Sequence, residues 1–274
     1  MTSVGARRKL LLAWQWARFL FQGFLAMADW RSRVRLARMK LPGEGRLGDA
    51  PVPLRAKALS GSVLWVRPGT TDVGTIFHDL VNREHLPPPG APEDPRQIWE
   101  LGSNIGTGVA GLAARYPRAR LLGVEPDPAN AALACRNLRP FGDRCRLIEA
   151  AIWDREADLV VEGERPSGLT VRPAVEADPP QRRVRATTID ALVEAHAGDE
   201  PIDYLILNLE GTEPRVLAGD QPWARRVRSI RVELHPHYGF GEADCVSLLR
   251  GLGFRAWAET EWWGGWGFGL RDRD

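Results

Sequence analysis

The rhythm of apolar and polar positions changes along this chain, and the changes mark its elements. From Arg96 onward, short apolar runs of strand length alternate with stretches patterned at helical period. RQIWELG reads as a buried strand and GVAGLAARY as a helix packed closely through glycine and alanine. ARLLGVE is the next strand, and DPANAALACRNL a helix with Asp127 as N-cap and proline in its first position. CRLIEAAIW is the third strand. Between Asp158 and Arg185, β-branched residues between turns predict a two-stranded excursion. Helix IDALVEAH, strand DYLILNLEG, a short helix after Pro214, strand SIRVELHP and helix ADCVSLLRGLG follow, and FRAWAETEWWGGWGFGLRD closes the chain as two strands around a glycine-rich turn. Strands joined through helices require a parallel sheet with helices on both faces. The expected fold is therefore α/β and doubly wound: a mostly parallel seven-stranded sheet with an antiparallel C-terminal hairpin.

Upstream the pattern differs. SVLWVRPGTTD, from Ser62 to Asp72, has strand character and is followed by a helix from about Val73 to Arg83. LPPPGAPEDP, from Leu86 to Pro95, is a break that no helix or central strand tolerates. A Pro/Gly-rich linker spans Leu41 to Pro53. Three segments result: an N-terminal helical extension and linker (1–50), a strand and helix ahead of the main domain (51–95), and the α/β domain (96–274).

In the extension, RRKLLLAWQWARFLFQGFLAMADW starts basic and turns apolar, but Gln15, Arg18 and Gln22 interrupt it before it reaches spanning length. At 100° per residue Gln15, Arg18, Gln22 and Asp29 fall on one narrow polar stripe. Three readings are open: a helix packed on the body or in a homodimer interface, a helix lying on a membrane surface, and a cleaved signal.

Composition narrows the partners. Lys+Arg 37 against Asp+Glu 35 leaves a net charge of +2, which makes no electrostatic case for nucleic acid. The basic residues are almost all arginine. Cys135, Cys145 and Cys245 are scattered with no CxxC, so reduced, packed thiols of a cytoplasmic protein are expected, peripheral to the membrane if the helix lies there, with no metal site.

The turn in WELGSNIGTGVAGLAARY follows the first strand of the sheet, where open α/β folds bind ligands. Its spacing, Gly102-x-x-x-Gly106-x-Gly108, is not the dinucleotide G-x-G-x-x-G. Glu100 just before it would repel a pyrophosphate but suit a cationic amine. Glu125, ending the second strand, can accept both hydroxyls of a ribose. A ligand with an amine, a sulfonium and an adenosine ribose meets all of these, and S-adenosylmethionine is such a ligand. A nicotinamide-dependent oxidoreductase is the alternative, disfavoured by the same glycine spacing and by Glu100.

Four landmarks sharpen this. VRPGTTD (66–72), ELGSNIGTG, GVEPDPAN, and TTIDAL…PIDYLILNLEGTEPRVLAG followed by VELHP stand in the order of the RPGTSD, DVGANIG, FEPNPxN and TLDxL…IDFLKIDVEGAExxVLxG…EvH motifs of the FkbM methyltransferases. The chain resembles that family from about Val63 to Asp274. The resemblance implies a class I, Rossmann-like methyltransferase fold and methylation of a hydroxyl on a glycan or small-molecule secondary metabolite. It makes Glu100, Gly102, Asn104, Gly106, Glu125 and Ala150 the donor contacts. Two positions depart from the family: its KIDVEG lysine and aspartate are Ile206 and Asn208 here. Asparagine keeps the shape but loses the charge, which leaves a methyltransferase-like binding protein without catalysis as a further alternative.

A sulfonium methyl is a strong electrophile, so the protein has to align an acceptor and manage its proton. Asn208 and Glu210 at the end of the fourth strand, and His235 after the fifth, are the candidates; a neutral imidazole at His235 suits proton removal. Trp262, Trp263 and Trp266 in the terminal hairpin offer faces for a sugar or an apolar acceptor, and SGLTV (167–171) is placed to cover the acceptor site.

Overall fold

The computed structural model describes residues 21–40, 50–261 and 264–271. Gln15 and Arg18 of the polar stripe, linker residues 41–49, Trp262 and Trp263 lie outside them. The chain divides into two compact units, 1–84 and 85–274.

In the first unit, a helical segment over 21–26 precedes helix α1 (Trp30–Lys40). Asp29 caps α1 by accepting from Ser32 N at 2.8 Å. Strands β1 (Val52–Arg55) and β2 (Val63–Val66) form an antiparallel pair. The VRPGTTD landmark is a closed turn. Arg67 donates to the buried Asp72 carboxylate from its backbone N, Nε and Nη2, at 2.8, 2.9 and 2.9 Å. The helix that follows starts as α2 (Asp72–Thr75) but widens into a π-helix over Ile76–Val81.

The second unit carries the sheet. Its strands are β3 (Gln97–Leu101), β4 (Arg120–Glu125), β5 (Cys145–Glu149), β10 (Tyr204–Leu207), β11 (Ser229–Leu234), β12 (Arg255–Glu261) and β13 (Gly264–Leu270), in the spatial order β12-β13-β11-β10-β3-β4-β5. The pairs from β5 to β11 are parallel, and β13 is antiparallel to both β11 and β12. This is the class I methyltransferase topology, with the antiparallel hairpin expected from the pattern. Successive strand residues face opposite sides. Trp99, Leu101, Leu122, Val124, Leu205, Leu207, Ile230 and Val232 meet α5 (Ile189–His196), α6 (Glu213–Leu217) and α7 (Glu242–Gly251) in one core. Helices α3 (Thr107–Arg115) and α4 (Pro128–Leu138) cover the other face. Asp127 caps α4 as expected, accepting from Asn130 N at 2.8 Å. Residues 85–86 belong to this unit through the buried Tyr204, whose hydroxyl donates to the carbonyls of His85 and Leu86 at 3.1 and 3.2 Å.

Three expectations need correction. CRLIEAAIW is not one strand. The chain leaves the main sheet after Glu149, Ala150 N donates to Glu125 O at 3.2 Å, and β6 (Ala151–Ile152) pairs with β9 (Arg183–Thr187) instead. The excursion is also larger than two strands: β7 (Ala157–Glu162) and β8 (Thr170–Pro173) join β9 and β6 in a four-stranded sheet. That sheet has its own core of Ala151, Trp153, Leu159, Val161, Val184 and Ala186. An apolar run records burial, not which sheet supplies its partner. The thiols differ as well: Cys245 is buried, but Cys135 is exposed.

Candidate active site

The carboxyl ends of β11, β10, β3 and β4 lie side by side, so the segments that follow them share one edge of the sheet. After β3, the turn starts at Gly102, whose N donates to Val124 O at 2.9 Å and whose φ is +88°. A Cβ there would collide with the carbonyl oxygen of Asn208, so only glycine lets the turn press against the end of β10. Asn104 (φ +48°) and Gly106 (φ +77°) complete the turn, and Gly106 packs closely on Ala134 of α4.

Glu125 ends β4, almost wholly buried. Its carboxylate accepts from Asn104 N at 2.8 Å, Asp127 N at 3.0 Å and Asn130 Nδ2 at 3.3 Å. Burial nevertheless wins over these donors and pushes its pKa up to about 7. Ala150 lies beside it through the bond to Glu125 O. Glu100, the acid just before the turn, is buried. Its carboxylate lies against Gly108 in the first turn of α3, so its charge faces a helix N-terminus.

The turn after β10 is built around Glu213, a side chain with no exposed surface. Glu213 accepts from Leu209 N at 2.7 Å and Gly211 N at 2.9 Å, which holds Glu210 at a φ of +51°. His235, which follows β11, is buried between two acids. Its Nε2 lies 3.3 Å from Glu210 Oε2 and its Nδ1 3.1 Å from Glu213 Oε1, the second a close ion pair rather than a well-aligned hydrogen bond. Burial disfavours the charged ring, but the Glu210 and Glu213 carboxylates outweigh it and push the pKa up to about 10. Held between these two carboxylates, the ring is biased toward the imidazolium, whereas the sequence reading took it as a neutral imidazole. Tyr238 stands at the rim against Gly211, with its ring 4.1 Å from that of His237.

Asn104 Oδ1 and Asn208 Oδ1 are buried and accept no hydrogen bond among the described residues. Buried acceptors without donors are costly unless a ligand supplies them. Both stand on the edge where the glycine turn meets β10, together with an acidic pair of hydroxyl acceptors in the Glu125 carboxylate. This set fits a ribose and a cationic head group. No group of three or more His, Cys, Asp or Glu arranged to hold a metal occurs among the described residues.

The model of the methyltransferase FkbM domain matches residues 100–256, more than half of the chain and all of this edge. The chain belongs to the FkbM methyltransferase family. It is also similar to the 2-O-methyltransferase NoeI of Sinorhizobium fredii, 31% identical over 153 residues, covering 50% of this chain and 62% of that protein. The chain thus spans less than two thirds of that relative's length. Among solved structures it aligns with the Pyrococcus abyssi tRNA (uracil-54, C5)-methyltransferase (TM-score 0.43, 15% identity, 81% of this chain and 44% of that one). It aligns also with a precorrin-6y C5,15-methyltransferase of Geobacter metallireducens (TM-score 0.41, 12% identity, 66% and 82%). Within the FkbM frame S-adenosylmethionine is the methyl donor, and the nicotinamide alternative falls away.

Sequence reasoning named Asn208, Glu210 and His235, and the structure brings them to one edge. It passed over Glu213, although the Glu210-x-x-Glu213 spacing was legible, because nothing in a linear pattern says that the second acid is the buried one. Asn130 was missed too; its Nδ2 donates both to Glu125 and to Pro166 O, at 2.8 Å, in the loop between β7 and β8. That loop, expected over the acceptor, is tied by this bond to the first turn of α4 beside Glu125. Trp266 packs under the Arg231 guanidinium at 4.0 Å on the sheet.

Proposed function

We propose that the protein is an O-methyltransferase that moves the methyl group of S-adenosylmethionine to a hydroxyl of a glycan or secondary metabolite. Glu125 accepts the ribose hydroxyls, and the turn from Gly102 to Gly106 brings backbone N–H groups and the Asn104 amide to the donor. Bound there, S-adenosylmethionine supplies an electrophilic methyl group. The residues of the chain do the rest. Asn208 orients the acceptor hydroxyl through its amide, which can donate and accept but carries no charge. Glu210 takes the hydroxyl proton. The His235 imidazolium, itself held by the buried Glu213, keeps the Glu210 carboxylate in place and balances its charge. The observation that carries this reading is the Glu210–His235–Glu213 array beside Asn208 on the donor edge. A hydroxyl as the accepting group is favoured by the likeness to a 2-O-methyltransferase.

The test has two stages. Titration calorimetry should detect S-adenosylhomocysteine binding and none for NAD. Incubation with labelled S-adenosylmethionine and oligosaccharide or metabolite extracts should then yield a labelled, base-stable methyl ether. Donor binding without any labelled product would point to a family member that has lost catalysis with its aspartate.

A further inference from the structure

The first unit carries a surface that methyl transfer does not use. Among the described residues seven large hydrophobic side chains are exposed. Five of them, Phe21, Phe24, Leu25, Trp30 and Val34, fall between positions 21 and 34. Helix α1 buries Ser32, Leu36 and Met39 on one side. At 100° per residue Trp30, Val34 and Arg38 then fall on the opposite arc, with Arg31 beside them. Phe24 packs at the flank of this arc, where the Arg33 guanidinium lies 4.8 Å from the centroid of its ring.

The charge on this face has one sign. Arg31, Arg33, Arg35, Arg38 and Lys40 are the ionisable residues of α1, and it contains no acid. Arg33 and Arg35 donate to the carbonyls of Met27 and Pro53. Arg31 and Arg38 are exposed and form no ion pair among the described residues. Pairing this face with a second copy would bring arginine against arginine with no acid in α1 to compensate. An anionic lipid surface satisfies both features at once, since apolar tips enter the acyl boundary while guanidinium groups meet phosphates. No helix among the described residues is long and apolar enough to cross a membrane.

We propose that the exposed apolar side chains between Phe21 and Val34, with Arg31 and Arg38 on the outer arc of α1, dock the protein on an anionic bilayer. This stands independently of the reaction proposed above. The full chain should sediment with vesicles of phosphatidylcholine mixed with phosphatidylglycerol, and not with phosphatidylcholine alone. Arg31→Glu combined with Arg38→Glu, and separately Phe24→Ala combined with Trp30→Ala, should each lower partitioning about tenfold or more. Their melting temperatures should match the parent's, because all four side chains are exposed. No sedimentation with the mixed vesicles, or equal partitioning of the parent and both variants, overturns the proposal. So does a concentration-dependent dimer in light scattering that Phe24→Ala with Trp30→Ala dissociates, because a second copy would then cover the face.

Discussion

Glu125 is under two opposed demands. Burial favours its protonated form, whereas the proposed contact with a ribose donating two hydroxyls needs the carboxylate. With the pKa raised from 4.5 to about 7, ionisation costs the folded protein stability, a cost that grows as pH rises from 4.5 through about 7. Donor binding runs the other way: affinity for S-adenosylhomocysteine should fall toward about tenfold per pH unit below 7 and level off above it. Glu125→Gln should flatten that profile and weaken binding by about 1.5–3 kcal/mol, read by calorimetry across the pH range. His235 has the opposite sign. Its folded pKa of about 10 lies above the ordinary 6.5, so its ion pairs contribute full stability below 6.5 and lose it as pH rises through 10. His235→Gln should remove this alkaline decline in melting temperature. At the same array, Glu210→Gln should lower kcat by about a hundredfold to ten-thousandfold while donor affinity stays near the parent value. Unchanged turnover in Glu210→Gln would leave alignment alone to explain the rate. Asn208→Asp asks whether this site has drifted from the family's chemistry: a large gain in kcat would mean decay, and a loss would mean that it is tuned to another acceptor.

The turn after β3 shows how an element constrains its residues. Gly102 combines a left-handed backbone with an approach to Asn208 O that leaves no room for a methyl group. Gly102→Ala should therefore cost about 1–3 kcal/mol of stability and abolish donor binding, measured by denaturant melts and titration. The glycine requirement was legible in ELGSNIGTG, and so was the alternation of strands and helices that places the turn at the sheet edge. The break at Ala150 was not. A run such as CRLIEAAIW stays apolar across the point where it changes sheets, because both halves are buried and burial is all that the pattern reports. Nor was the π-helix over Ile76–Val81, whose side-chain periodicity is too close to that of an α-helix over a single turn and a half.

At the scale of the molecule, every residue assigned here to donor or proton lies in the unit 85–274, which has its own cores. A chain beginning at His85 should therefore fold cooperatively and bind S-adenosylhomocysteine within a few-fold of the full chain. Loss of binding with the circular dichroism spectrum intact would assign part of the donor site to residues before His85. The vesicle experiment addresses the other unit, with its exposed apolar and arginine side chains.

What the sequence determined by itself is everything that depends on local pattern. Period-two and period-3.6 hydrophobicity set the order of elements, Asp127 and Pro128 set the start of a helix, and glycine spacing with two flanking acids separated a sulfonium ligand from a pyrophosphate. Only the tertiary structure decided the charge state of His235. Its imidazole is ordinary in composition and position, and its charged form is favoured because Glu210 and Glu213, distant in sequence, meet it from the neighbouring strand end. Protonation and orientation depend on which groups converge through space, and a linear sequence carries that information only once the fold has closed.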